Sequence, residues 1–427
     1  MRRPQIVFVA PQPPYPLTNG MPIRLFQLLK AYAECGSVKL VCLYQGEAEL
    51  EALNHLAKFC EQVYPVPMST TRRISELARL SRWRRRLELI CDLRPVGMVM
   101  EFSADMANLI EQLAQSADLV HVTAIHTVGQ VEGLLRRRRG KTRFVLDMPD
   151  VESARHASVV RRLPLSMWPH IAFGYYETAR LWASERSAIR RFDRVLVCSE
   201  QERARLSASN VVVIPNATTI PADRRRGDGD GRTIIFCGTL SYAPNVDAVE
   251  FFVTRILPRI QRDVPDVQFV IVGRAPGAKV LGLHDGVTVR IAADVPSVDS
   301  YYASAALAVV PLRAGGGTRL KILEAWAHGV PVVSTSLGCE GLDASDGDHL
   351  LIAETPDAFA ARCVEVLRRP ELRRRLAERG RDLVSRRYSA EAVEAQIIAM
   401  LADVTGCDGS TSPQLAQASS CSERSAV

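Results

Sequence analysis

The sequence contains no CxxC pair and no His–Cys grouping at zinc-ligand spacing, which excludes zinc ribbons and thioredoxin-like redox centres. Its ten cysteines are scattered, and Cys42, Cys198 and Cys237 sit in apolar, strand-like runs. Reduced cysteine is used in this way, as a small hydrophobe, so a disulfide scaffold is also excluded. Long apolar runs are absent: none nears the roughly 18 residues of a membrane span, and Val38–Tyr44 is only strand length. Aromatic residues are scarce at 6%, and no nucleic-acid recognition motif accompanies the basic clusters, so nucleic acid is not expected as a partner. Charge of one sign is not in great excess; the net +7 permits an anionic partner without naming one. The opening segment MRRPQIVFVAPQPP is too short in its apolar run, and too prolyl, for a signal peptide. It reads as a first strand, and the expectation is a cytoplasmic protein.

What is present is ordinary globular composition, 47% hydrophobic and 24% charged over 427 residues. At roughly 150 residues per domain this length suggests two or three domains, and two large α/β units suffice. Ile6–Ala10, Val38–Tyr44, Leu119–Val122, Phe144–Leu146, Val195–Cys198 and Val211–Ile214 read as strands, with helices between most of them, such as Ile23–Ala33. The series pauses at the polar, prolyl and glycyl linker 215–232. It resumes with strands at Thr233–Cys237, Val267–Val272, Val287–Val289, Leu307–Val310 and Val330–Ser334, and an edge strand at Leu350–Ile352. Helices are expected to begin near Asn245, Ser297 and Gly317. The fold class is therefore α/β, with two doubly wound Rossmann-like domains, 1–214 and 233–388, facing a cleft. A helix over 389–404 is free to pack on the N-terminal domain, and 405–427 reads as a disordered tail.

The chemistry concentrates in Pro311–Thr335, PLRAGGGTRLKILEAWAHGVPVVST. A buried strand is followed by Gly315, Gly316 and Gly317, then Thr318, then a helix. Glycines let the backbone approach a ligand, and the free N–H groups of a helix start attract an anion. Lys321 lies in the first turn and can meet that anion as a point charge; Arg319 lies about 160° away around the helix. Glu324 falls about 40° from Leu320, at the edge of the apolar face, where a carboxylate must find donors. A nucleotide ribose offers two hydroxyls. The alternative is a packing turn with a surface Lys321–Glu324 pair.

This segment resembles the donor site of GT-B glycosyltransferases of family 4, in the branch that includes exopolysaccharide-locus sugar transferases. FCGTLSYAPNVDA from Phe236, Val272-Gly273, Tyr301-Tyr302-Ala303, Gly338–Leu342 and Ile214-Pro215-Asn216 extend the likeness across the second domain. Looser matches in the first are Pro13–Pro16, Gly20, Ile23-Arg24 and the stretch from Leu146 to Ser153. The resemblance implies a glycosyltransferase that moves a sugar from a nucleotide-sugar donor to a hydroxyl acceptor, a glycan or a lipid-linked one. Retention of configuration is implied, with the nucleotide-sugar as co-substrate and no cofactor or metal. The N-terminal domain would bind the acceptor and the C-terminal domain the nucleotide-sugar. Glu324 matches the second glutamate of the family's E-x(7)-E signature, which holds the ribose. The first falls at Gly316 and is missing, so sugar recognition is left to backbone N–H groups of Gly315–Thr318. The basic pair that neutralises the diphosphate in many relatives is replaced by Thr239 and Asn245; Lys321 is the expected substitute, with Arg319 second.

Where many relatives carry a catalytic-site histidine, this chain has Asp147, with Asp150 three residues on. An acidic group there would accept the acceptor's proton or stabilise charge on the sugar ring, while Asp150 equally suits a helix cap. His126 is expected to start a helix facing the cleft at the carboxyl end of a strand, as a further candidate catalytic residue, and His121 to be a core residue. Gly20 fits a loop approaching the donor, or simply a turn before a helix. Asp228 with Asp230, and Asp346 with Asp348, mimic a metal-binding D-x-D but read as turns. Arg82, Arg84, Arg85 and Arg86, on a helix with Trp83, suit either a solvated face or an anionic membrane surface at the inner face of the plasma membrane. The competing function is a catalytically degenerate GT-B protein that binds a nucleotide-sugar or acts as a scaffold.

Overall fold

Val- and Ile-rich runs buried on both faces form two all-parallel sheets, as expected where helices cover each side of a sheet. The computed structural model describes residues 2–17, 19–68, 81–137, 141–222, 229–316 and 319–406. Gly317, Thr318 and the stretch 407–427 lie outside them. The chain divides into two compact units: one takes the chain to Pro215 and returns for residues from Glu394 onward, and the other is Asn216–Val393.

The first unit contains β1 (Gln5–Ala10), β2 (Ser37–Tyr44), β3 (Gln62–Pro67), β4 (Leu119–Thr123), β5 (Arg143–Asp147), β6 (Arg194–Val197) and β7 (Val211–Val213). Their order is β3-β2-β1-β4-β5-β6-β7. The second unit contains β8 (Thr233–Cys237), β9 (Gln268–Gly273), β10 (Val289–Ala293), β11 (Leu307–Val310), β12 (Val332–Ser334) and β13 (Leu351–Ile352), ordered β10-β9-β8-β11-β12-β13. In each sheet the order reverses beside the first strand, between β1 and β4 and between β8 and β11. Such switch points leave a crevice at the carboxyl ends of the strands, where ligands of open α/β sheets bind.

The helices that matter below are α1 (Gly20–Cys35), α2 (Arg82–Cys91), α3 (Glu152–Val160), α4 (Trp168–Arg191), α5 (Glu200–Leu206), α6 (Ala243–Phe251), α7 (Leu320–Ala327) and α8 (Ala390–Thr405). Helix α1 starts three residues earlier than its apolar pattern suggests, because Asn19 caps it by accepting from the Met21 N–H at 3.2 Å. The later part of α8 belongs to the first unit, where Asp403 pairs with Arg194 at 2.6 Å and Glu394 lies 3.8 Å from Lys30.

Strand β3 was not expected from the sequence. Its QVYPVP run carries two prolines, which an edge strand tolerates because one side of it forms no ladder. Strand β10 begins at Val289 and continues to Ala293, so the expected Val287–Val289 overlaps it only at one residue. Val287 instead lies in a turn where Asp285 accepts from three successive N–H groups.

Candidate nucleotide-sugar site

The glycine-rich segment leaves β11 at the switch point of the second sheet and leads into α7. Gly315 has φ +114°, a conformation that L side chains rarely adopt, and a Cβ there would come within 3.6 Å of Pro244 and Tyr242. Helix α7 exists because Ile322, Leu323, Trp326 and Ala327 form one buried stripe. Among the described residues no side chain caps its start. The first bond of the helix runs from the Ile322 N–H to the Arg319 carbonyl at 2.9 Å, so the N–H groups that an anion at this end would meet are those of Leu320 and Lys321.

Lys321 projects from the first turn of α7 toward the end of β8. Its Nζ donates to Asn245 Oδ1 at 2.7 Å and stands 4.1 Å from the centre of the Phe236 ring. Asn245 is oriented in turn by donating from Nδ2 to the Thr239 carbonyl at 2.8 Å. Gly238 completes this corner: a Cβ on it would fall 2.9 Å from both Asn245 Nδ2 and Lys321 Nζ, so only glycine leaves room. Burial, and after it the charge of Arg319, push the Lys321 ammonium down to about 7. An arriving phosphate would favour the charged form.

Glu324 lies one turn further along the same face. Burial pushes its carboxyl upward, against the opposing pull of His328 and Lys321. The Tyr302 hydroxyl approaches its Oε2 at 3.5 Å, the outer limit of a hydrogen bond, which leaves acceptor capacity for a ligand hydroxyl. His328 braces the helix end, Nδ1 lying 2.8 Å from the Glu324 carbonyl and Nε2 2.9 Å from Asp299, with its ring stacked on Tyr302. Arg319 has a different use from the one the sequence suggests. It is buried, with its guanidinium donating to the Gly316 and Leu337 carbonyls, so it straps the loop. The structure thus brings Gly315, Gly316, Arg319, Lys321 and Glu324 together with Gly238 and Asn245. Gly238 went unnoticed in the sequence as a site residue, although its signal, a glycine directly after an apolar strand, was there.

In the first unit the expected acidic site is rearranged. Asp147 ends β5 but is completely buried, and both its oxygens accept from Arg24 of α1, at 3.0 Å from Nε and 2.6 Å from Nη2. Arg24 also donates to the Ile214 carbonyl at 2.9 Å. The reading of Asp147 as a carboxylate open to the acceptor is therefore corrected: it is committed to a buried ion pair joining α1, β5 and the end of β7, because an unpaired charge there would be too costly. Asp150 does not cap α3. The cap position is Val151, whose N–H is taken by Glu202 of α5, while Asp150 faces Arg155 at 3.8 Å. Burial, then the Asp150 charge, raise Glu202 to about 7.

His121 is a core residue bonded to Tyr32 and Thr123 and stacked on Phe8, and burial lowers it to about 3. His126 follows Ala124, a non-glycine residue at φ +67°, in the 3-10 turn Ile125–Val131. Its Nδ1 is buried with no hydrogen-bond partner among the described residues, and Gly97 packs so closely that a Cβ would collide with the ring. Gly20 is the first residue of α1. The two D-x-D segments serve turns: Asp230 accepts from Arg232 and Thr233, and Asp346 accepts from the Ile352 N–H. Asp228 lies outside the described residues.

Comparison with known proteins adds the family. Residues 19–222 match the family described as "Glycosyl transferase 4-like domain", and residues 231–369 match "Glycosyl transferases group 1". An uncharacterized 44.6 kDa protein in the cps region of Klebsiella pneumoniae is 20% identical over 405 residues, 92% of this chain and 98% of that one. The sucrose-phosphate synthase of Thermosynechococcus elongatus superposes with a TM-score of 0.67 at 17% identity, over 95% of this chain and all of that one. Anabaena HepE, solved in complex with UDP-glucose, gives a TM-score of 0.63 at 15% identity, over 94% of this chain and 100% of that one. The two family matches together span nearly both sheets, and on them the chain belongs to the family 4 GT-B glycosyltransferases, enzymes that depend on a nucleotide-sugar.

Proposed function

We propose that this chain transfers a sugar from a nucleotide-sugar to a hydroxyl of a glycan or lipid-linked acceptor, with retention of configuration and without a metal ion, in the synthesis of an exopolysaccharide or other cell-surface glycan. The observation that carries this reading is the Lys321 ammonium, held by Asn245 in the first turn of α7 and one turn from Glu324. A diphosphate at that start meets the helix N–H groups and a cation fixed in direction. As the bond to the sugar breaks, negative charge grows on the leaving diphosphate, and these same groups stabilise it more than they stabilise the bound donor. Glu324 holds the ribose hydroxyls, and the backbone at Gly315 and Gly316 meets the sugar in place of a carboxylate. The cps-region relative supports the surface-glycan setting, and bound UDP-glucose in Anabaena HepE supports the kind of donor. The chain would act in the cytoplasm, at the inner face of the plasma membrane.

A second reading, a nucleotide-sugar-binding scaffold without turnover, is favoured by Gly316 standing where a signature carboxylate would be and by the commitment of Asp147 to Arg24. One experiment separates the two. The full chain is incubated with labelled UDP- and GDP-sugars and a lipid extract, and the anomeric configuration of any product is read by NMR. Transfer with retention supports the proposal; inversion overturns the stereochemical part, and donor binding without transfer supports the scaffold.

A further inference from the structure

The longest helix of the first unit leaves a face uncovered. Along α4, Trp168, Ala172, Tyr175, Ala179 and Trp182 follow one another at spacings of four and three residues and are all exposed. That spacing lines them up on one side of the helix, over about 21 Å at 1.5 Å per residue. Trp168 is 70% exposed and Trp182 56%, and the turn leading into the helix presents Leu165 at 88%. An apolar surface of this kind is unusual unless something covers it.

The charges around the stripe identify what covers it. Between Val159 and Ala183 the sequence holds a single carboxylate, Glu177, and this is buried against Arg180 and the Val96 N–H. Exposed Arg161 and Arg162 stand before the stripe, and exposed Arg190 follows it, after Arg186, whose guanidinium packs near the Trp182 ring. The neighbouring element is basic too. The carbonyl end of α2, the helix with four arginines, is fastened to α4 by Tyr176, which donates to the Ile90 carbonyl at 2.7 Å. Arg180 adds bonds to the Leu89 and Asp92 carbonyls at 2.6 Å. Just beyond α2, Leu93 is 81% exposed. The side chains of Arg82, Trp83, Arg85 and Arg86 lie outside the described residues.

We propose that the stripe Trp168–Tyr175–Trp182, with Leu165 at its leading turn, is a docking face for an anionic lipid bilayer. Tryptophan and tyrosine settle at the headgroup boundary, with an apolar body below and a polar tip in water. The flanking arginines meet the phosphates, and no exposed carboxylate on this helix face opposes them. A second protein copy fits less well, because like-charged arginines at both ends would be brought together. The docking face stands on its own observations; its use in delivering a lipid-linked acceptor rests on the transfer reading above.

The test uses the full chain and vesicles of phosphatidylcholine, with or without roughly one-third phosphatidylglycerol. The parent should float with the anionic vesicles and not with the neutral ones, and should release as salt rises toward about 1 M, where screening shortens to about 3 Å. A triple variant, Trp168→Ser, Tyr175→Ser and Trp182→Ser, should bind on the order of tenfold or more weakly. Tryptophan fluorescence of the parent should shift to the blue on binding and be quenched by brominated lipid. Nucleoside diphosphate should still raise the Tm of the triple variant as it does in the parent, which separates failure of this face from failure of the donor site. Equal flotation of variant and parent overturns the proposal. So does a parent that is dimeric without lipid beside a monomeric variant, since a second copy would then cover the face.

Discussion

Lys321 Nζ and Asn245 Oδ1 are 2.7 Å apart although 76 residues separate them in the chain. Asn245 stands where the family resemblance implies a basic residue for the diphosphate, and the Lys321 ammonium reaches it from α7. On the proposed reading, that ammonium takes over the charge from a different point of attachment.

Removing that cation should cost donor affinity. Lys321→Ala loses a charge-assisted hydrogen bond, about 1.5–3 kcal/mol, and should weaken nucleoside diphosphate binding by roughly one to two decades in calorimetric titration. Asn245→Ala leaves the charge but frees its direction, so a smaller loss is expected.

Binding should depend on pH in a defined sense. Free Lys321 titrates near 7 in the folded chain against an ordinary 10.5, so between those values the unfolded chain holds more of this proton. Its contribution to stability therefore rises with pH across that window. Donor binding has the opposite preference because it needs the ammonium. Affinity for a nucleoside diphosphate should fall as pH is raised from about 6 to about 9, with proton uptake on binding above 7. Lys321→Met should flatten that slope.

Glu324 is tested through the ribose itself. Glu324→Gln should weaken binding of a nucleoside diphosphate and have little effect on its 2′,3′-dideoxy analogue, because the analogue lacks the hydroxyls the carboxylate accepts. An equal loss for both ligands would assign Glu324 to the fold alone.

Arg24 and Asp147 should behave as structural partners. Removing one member of a buried pair leaves the other charge uncompensated, which costs about 3–5 kcal/mol. Arg24→Met and Asp147→Asn should each lower Tm by several degrees, and any loss of donor binding should track the unfolded fraction. A catalytic Asp147 would instead give a folded, stable Asp147→Asn variant without turnover.

The legible part of this molecule was its local part. Both sheets, apart from the edge strand β3 and most of β10, could be read from Val- and Ile-rich runs, and the candidate donor segment from three glycines, Lys321 and Glu324 within ten residues. Pairings between distant positions could not. Nothing in the local pattern joins Lys321 to Asn245, or Arg24 to Asp147 across 123 residues, and without Arg24 the aspartate reads as open chemistry. Helix α4 was obscured for a different reason. Its apolar residues lie on two sides, one packed into the core and one exposed, so no single amphipathic stripe marks it.

On the proposed reading, the same charges take the place of a metal ion. Treatment with EDTA should leave the transfer rate within about twofold of its untreated value, because helix start and lysine would meet the phosphate charge without it. Full loss restored by Mg²⁺ or Mn²⁺ would assign that work to a metal.

The most direct test is a thermal-shift panel of UDP-, GDP- and other nucleotide-sugars on the full chain, with Lys321→Ala measured beside it. A donor at about one hundred times its Kd should stabilise the parent by about 2.7 kcal/mol, and the same concentration should do far less for the variant. A donor that shifts parent and variant equally, or no shift with any nucleotide-sugar, would contradict the assignment of the site at the start of α7.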